Sequence, residues 1–87
     1  MLRGIDAVQA LPAPRGVHRF RVSSSNVAEI GYSQATKTLE VKYHSEGIYR
    51  YYGVPAWVWL SLKAAASKGK FMHEKVKGVY PYQKVSR

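Results

Sequence analysis

The chain has 87 residues, 46% of them hydrophobic, and a formal net charge of +9. That length allows one domain at most, which buries only about 60% of its unfolded surface and so needs a tight core. It has no cysteine, which excludes disulfide staples and thiolate zinc sites and fits a cytoplasmic setting better than an oxidising one.

No apolar run approaches the roughly 18 residues of a membrane span, and the start, MLRGIDAVQALPAPRG, has no continuous apolar core of a secretory signal. Arg3, Arg15 and Arg19 give it only a loose likeness to an organelle transit peptide. The positive charge is uneven, with seven Lys or Arg against one Glu in residues 61–87. Such a patch attracts polyanions, although solvation of a small soluble protein explains it equally well.

Residues 1–21 read as an N-terminal extension, interrupted by Pro12, Pro14 and Gly16, with a short strand allowed through VHRFRV. The cluster SSSN (23–26) forms a turn or cap, and VAEIGY follows as a strand. SQATK turns the chain into TLEVKY (38–43), whose alternation marks a half-buried strand. HSEG then makes a hairpin loop, with Gly47 supplying a left-handed residue.

The expected register sets Tyr43 opposite Tyr49 and Val41 opposite Tyr51, so that Leu39, Val41, Tyr43, Tyr49 and Tyr51 share one face. The other face carries Glu40, Lys42, Ile48, Arg50 and Tyr52, with Lys42 opposite Arg50. An anion between those two charges, or plain solvent screening, would relieve their repulsion.

VPAWVWLSLKAAAS reads as a helix with Pro55 in its first turn and Val58, Leu62 and Ala65 on its core face. Gly69 is expected to break it, and KFMHEKVKG to form a second short helix burying Phe71, Met72 and Val76 and ended by Gly78. YPY (80–82) reads as an extended exit. The order implies an α+β domain: a small antiparallel sheet of three or four strands with two C-terminal helices packed on one face.

The ordered features of residues 22–82 resemble the KTSC domain, a family named for its occurrence at the C-terminus of some lysyl-tRNA synthetases and also found as standalone small proteins. VSSSNVAEIGY fits the opening V-x-S-S-x-I-x-x-I-G-Y pattern with one extra residue in the serine run. Leu39, Val41 and Tyr43 follow, then Gly47 with Tyr49-Arg50-Tyr51 as G-x-Y-x-Y, Val54-Pro55, Val58 and Trp59. Leu62, Ala65, Ser67, Gly69, Phe71, Val76 and YPY complete it. The resemblance implies a small α+β fold and, through the synthetase connection, RNA binding. Trp57 and Leu60 depart from it, standing where the family usually has polar residues.

Catalysis is not expected. Glu29, Glu40 and Glu46 fall on a solvent-type face or in a turn, and no carboxylate pair is placed for acid–base work. His18, His44 and His73 lack metal-ligand spacing, and no glycine-rich phosphate loop is present, so neither metal nor cofactor is expected. Phosphate contacts require Lys or Arg, which makes Lys63, Lys68, Lys70, Lys75, Lys77 and Lys84 a candidate nucleic-acid stripe. Lys42 and Arg50 would extend it, and Tyr52 is the ring expected to stack a base.

The alternative is a protein-interaction module or homodimer using a second apolar stripe, Trp57, Leu60 and Ala64. The N-terminal extension folding back through Val8, Leu11 or Phe20 would cover the same stripe.

Overall fold

A computed structural model describes residues 17–86. Five strands, β1 (Arg19–Arg21), β2 (Val27–Ser33), β3 (Thr38–Tyr43), β4 (Gly47–Tyr51) and β5 (Tyr82–Ser86), form one antiparallel sheet in chain order. Helix α1 (Ala56–Ala64), the short α2 (Lys68–Phe71) and a π-helical turn (Met72–Val76) run between β4 and β5. The α+β class holds, with more strands than the three or four expected. β1 lies within VHRFRV, where the sequence allowed a short strand, and the added strand, β5, comes from the segment read as an exit.

The core lies between one sheet face and the helices. Val27, Ile30, Leu39, Val41 and Tyr51 from the sheet meet Val54, Val58, Leu62, Met72 and Val76, all buried. The expected core faces of the central hairpin and of α1 are therefore present, with Ala65 and Phe71 half-buried at the margin. Ser24 accepts a hydrogen bond from the Val27 amide (3.3 Å), so the serine cluster does cap a turn.

The hairpin register differs from expectation by two residues. Val41 faces Tyr49, Leu39 faces Tyr51, and Tyr43 faces Gly47, which has the left-handed φ of 91°. An even shift preserves both faces but changes every partner. Arg50 consequently lies opposite Glu40, and Lys42 opposite Ile48, so the expected Lys42–Arg50 confrontation does not exist. The physical reason is charge: this register replaces a repulsive cross-strand pair with an attractive one.

The break after α1 also has a different cause from the one expected. Ser67 caps α2 by accepting from the Lys70 amide (3.2 Å), and the Lys68 ammonium donates to the Ala65 and Lys63 carbonyls at 2.7 and 3.2 Å. These contacts take up the carbonyls that the alanine run would otherwise bond within a longer helix. Gly69 lies inside α2, where a Cβ would come 2.9 Å from the Asn26 side chain. It is a site of close approach and not a breaker.

Candidate nucleic-acid interface

The two sheet faces carry different chemistry. On the face opposite the helices, Arg19, Gly31, Glu40, Arg50 and Gln83 form one row across all five strands. Gly31 has no side chain, and a Cβ there would lie 2.3 Å from the His18 carbonyl oxygen, so glycine is what lets β1 approach. The Arg19 side chain passes over it to pair with Glu40 on the next strand but one, while its Nε donates to Glu29 (2.9 Å). Arg50 Nε donates to the second Glu40 oxygen at 3.1 Å.

Glu40, read as solvent-facing from the sequence, is only 4% exposed, because two guanidinium groups lie over it. The Arg19 hydrogen bond is the main cause of Glu29 lying below the usual carboxylate range, with burial opposing. Burial would pull Arg19 down, but its bonds and charge pairing with both glutamates raise it.

This assigns Arg50 to an internal ion pair. Tyr52, on the same face, donates to Gln83 Oε1 (2.9 Å) and lies half-buried along β5. Lys42 is the remaining cation of the expected outer-face trio, half-buried beside Glu29.

On the helix face, α1 and the π-helical turn cover only part of the sheet. Trp59 closes one margin, stacked on Tyr32 (5.6 Å between centroids), edge-on to Phe20 (5.9 Å) and under the Lys63 ammonium (5.1 Å). Phe20 thus covers Trp59 and not the second stripe. Trp57 is 66% and Leu60 58% exposed, and Ala64 is exposed with them. Val8 and Leu11 lie outside the described residues.

At the other margin four tyrosines cluster on β3, β4 and β5. Tyr49 is edge-on to Tyr43 (5.5 Å), stacked on Tyr51 (6.4 Å) and tilted against Tyr82 (5.8 Å). The Tyr43 and Tyr51 hydroxyls share a buried hydrogen bond of 2.7 Å. Burial is the chief cause of the Tyr43 phenol being pushed well above the usual tyrosine range, and it also raises Tyr51 against the opposing effect of that hydrogen bond. Tyr49 is half-buried and Tyr82 is 61% exposed, which leaves a ring surface open to solvent. Lys77 stands 4.8 Å over Tyr43, and Lys84 5.9 Å over Tyr49.

A cleft of about 390 Å³ lies over these rings. A second, of about 410 Å³, adjoins it between the β3–β4 turn and the α2–π segment, with Lys70 and His73 in its wall. The π turn, closed by Lys77 N–H to Met72 O at 2.8 Å, buries Met72 and Val76 while keeping His73 and Lys77 at the clefts.

Of the expected nucleic-acid residues, the structure thus brings Lys70 and Lys77 to one cleft and sets Lys84 over Tyr49 beside it. Lys63 and Lys68 are engaged within the helices, Lys75 is exposed, and Lys42, Arg50 and Tyr52 lie behind the sheet. Tyr49 and Tyr82 were missed as an open surface. Their alternation with Arg50 and Gln83 was the available signal for their face, but it did not reveal that the helices stop short of it. Among the described residues no group of three or more His, Cys, Asp or Glu is placed to hold a metal ion, and no helix is long and apolar enough to cross a membrane.

Comparison with known proteins agrees with this fold. The family model of the KTSC domain matches residues 23–80. The chain belongs to the KTSC family. A crystal structure of a KTSC domain protein from Yersinia pestis superposes with a TM-score of 0.80 at 34% identity, covering 82% of this chain and 100% of that one. Lysine–tRNA ligases of Trichormus variabilis and a Nostoc species match at 36% over 67 residues and 38% over 55, or 77% and 63% of this chain. The KTSC chain spans only 12% and 10% of those two enzymes. The KTSC match begins at Ser23, so β1 with its Arg19 bridge and Phe20 contact precedes it.

Proposed function

We propose that this KTSC domain is a non-catalytic binder of single-stranded RNA that uses the tyrosine margin of its sheet. The observation that carries the reading is the pair Tyr82, 61% exposed, and half-buried Tyr49, 5.8 Å apart and flanked by the Lys77 and Lys84 ammoniums. Every base has a π face, so exposed rings bind a strand without reading its sequence, and the lysines meet its phosphates. The net charge of +9 steers a polyanion toward the domain, and the cysteine-free chain suits the reducing cytoplasm. The ligase relatives, enzymes named for a tRNA, favour RNA among polyanions.

The test is titration with a single-stranded RNA at several salt concentrations. Log affinity should fall with log salt by about 0.7 for each phosphate engaged. Joint Lys77→Glu and Lys84→Glu substitution should flatten the slope, and Lys42→Glu, behind the sheet, should change it least. Replacing Tyr82 with Leu should weaken binding about 5- to 150-fold, the range for loss of one stacked base. Affinity that is indifferent to salt rejects the proposal.

A second reading rests on the exposure of Trp57 and Leu60 on α1, a patch that a second copy of the chain would cover. Light scattering should then show a dimer that Trp57→Glu dissolves. A monomer at all concentrations removes this reading.

A further inference from the structure

The two clefts meet along Tyr43, Glu46 and Lys77, which line both. Each is in the size range of a small-ligand pocket, and their chemistries differ. One end offers cations and donors, from Lys70, His73 and the Ser45 hydroxyl. The other is floored by the rings of Tyr49 and Tyr82. Between them stands Glu46, an exposed residue of the β3–β4 turn that lines both clefts beside Tyr43.

An ionised carboxylate only accepts hydrogen bonds. It repels a phosphate placed next to it and favours a hydroxyl. A ribonucleotide has the same three parts in the same order: phosphate, hydroxyl-bearing sugar, base.

We infer that the joined clefts form a subsite for one ribonucleotide unit, with its phosphate at Lys70, His73 and Lys77, its sugar hydroxyls at Glu46 and its base on Tyr49 and Tyr82. The inference rests on the RNA reading for the identity of the ligand but names a position and a sugar preference that the reading does not contain. Deoxyribose lacks the 2′-hydroxyl, so Glu46 acts as a selector for RNA over DNA.

The experiment follows amide shifts of the full chain on titration with adenosine 5′-monophosphate, its 2′-deoxy counterpart, inorganic phosphate, and short oligoadenylates of RNA and DNA. The ribonucleotide should move Ser45, Lys70, Lys77 and Tyr82 and bind about tenfold more tightly than the deoxy form, as one hydrogen bond to a charged group allows. Glu46→Gln should bring that ratio toward one, Lys77→Ala should weaken both ligands about fivefold or more, and Lys75→Ala should change neither.

Equal shifts from inorganic phosphate alone, or a ribose-to-deoxyribose ratio of one in the unsubstituted protein, overturn the inference. RNA that binds while moving only the Lys42 face also overturns it, yet leaves RNA binding standing. A mononucleotide that fills the clefts beside an RNA strand that binds no better upholds the subsite and rejects the strand reading. Silence toward every probe rejects both.

Discussion

Replacing Glu40 by Gln removes a charge and leaves the shape of the side chain nearly unchanged. In the native sheet its side chain is 6% exposed between Arg19 and Arg50, which are 24% and 25% exposed. A hydrogen bond between charged groups is worth about 1.5–3 kcal/mol. The arginines are partly wetted and regain water when the charge goes, which brings each bond nearer 1 kcal/mol. Glutamine also retains one acceptor. The expected loss for Glu40→Gln is therefore about 2 kcal/mol, less than the 3–5 kcal/mol typical of a fully buried pair. For a domain of this size that lowers the midpoint of thermal unfolding by about 8–16 °C.

Urea unfolding followed by circular dichroism measures the loss directly, and Arg50→Ala alone and with Glu40→Gln completes a double-mutant cycle. A coupling of about 1 kcal/mol between Glu40 and Arg50 is expected. A Glu40→Gln variant within about 0.5 kcal/mol of the parent, with no coupling, would refute the view that this row of charges ties β1, β3 and β4 together.

Gly31→Ala forces a Cβ to 2.3 Å from the His18 carbonyl oxygen, so β1 must move. The variant should lose about 1–3 kcal/mol, and Trp59 emission should shift as Phe20 leaves its edge; unchanged emission contradicts this. Tyr43 and Tyr51 have folded-state phenols raised above their unfolded value, chiefly by burial, so the stability they give is full below about pH 10 and lost as the pH rises further. Stability measured across that range should fall, and the fall should be shallower in the Tyr43→Phe/Tyr51→Phe double variant. The single Tyr43→Phe change, which strands the buried Tyr51 hydroxyl, should cost about 1–2 kcal/mol at neutral pH, more than the double one.

The hairpin shows where sequence is informative and where it is ambiguous. Alternation through TLEVKY and GIYRY settled which side chains share a face, because the period of a strand is two. It left the partners open, because a register two residues away keeps the same faces. The choice falls to Glu40, and its pairing with Arg50 is a matter of charge that the face pattern does not encode.

β5 was hidden by Pro81, which made YPY look like an exit, yet pairing starts at Tyr82, just after the proline. α1 ended early because of Ser67 and Lys68, contacts from beyond the alanine run. The Tyr49–Tyr82 surface depends on where the helices stop covering the sheet, a tertiary quantity with no local signature.

The sheet follows chain order, so β1 and β5 are opposite edges, four strand spacings or about 19 Å apart. A polypeptide joined ahead of β1 would hang from the edge remote from Tyr82 and Lys84. A short tether there would hold the tyrosine clefts turned away from whatever carries them.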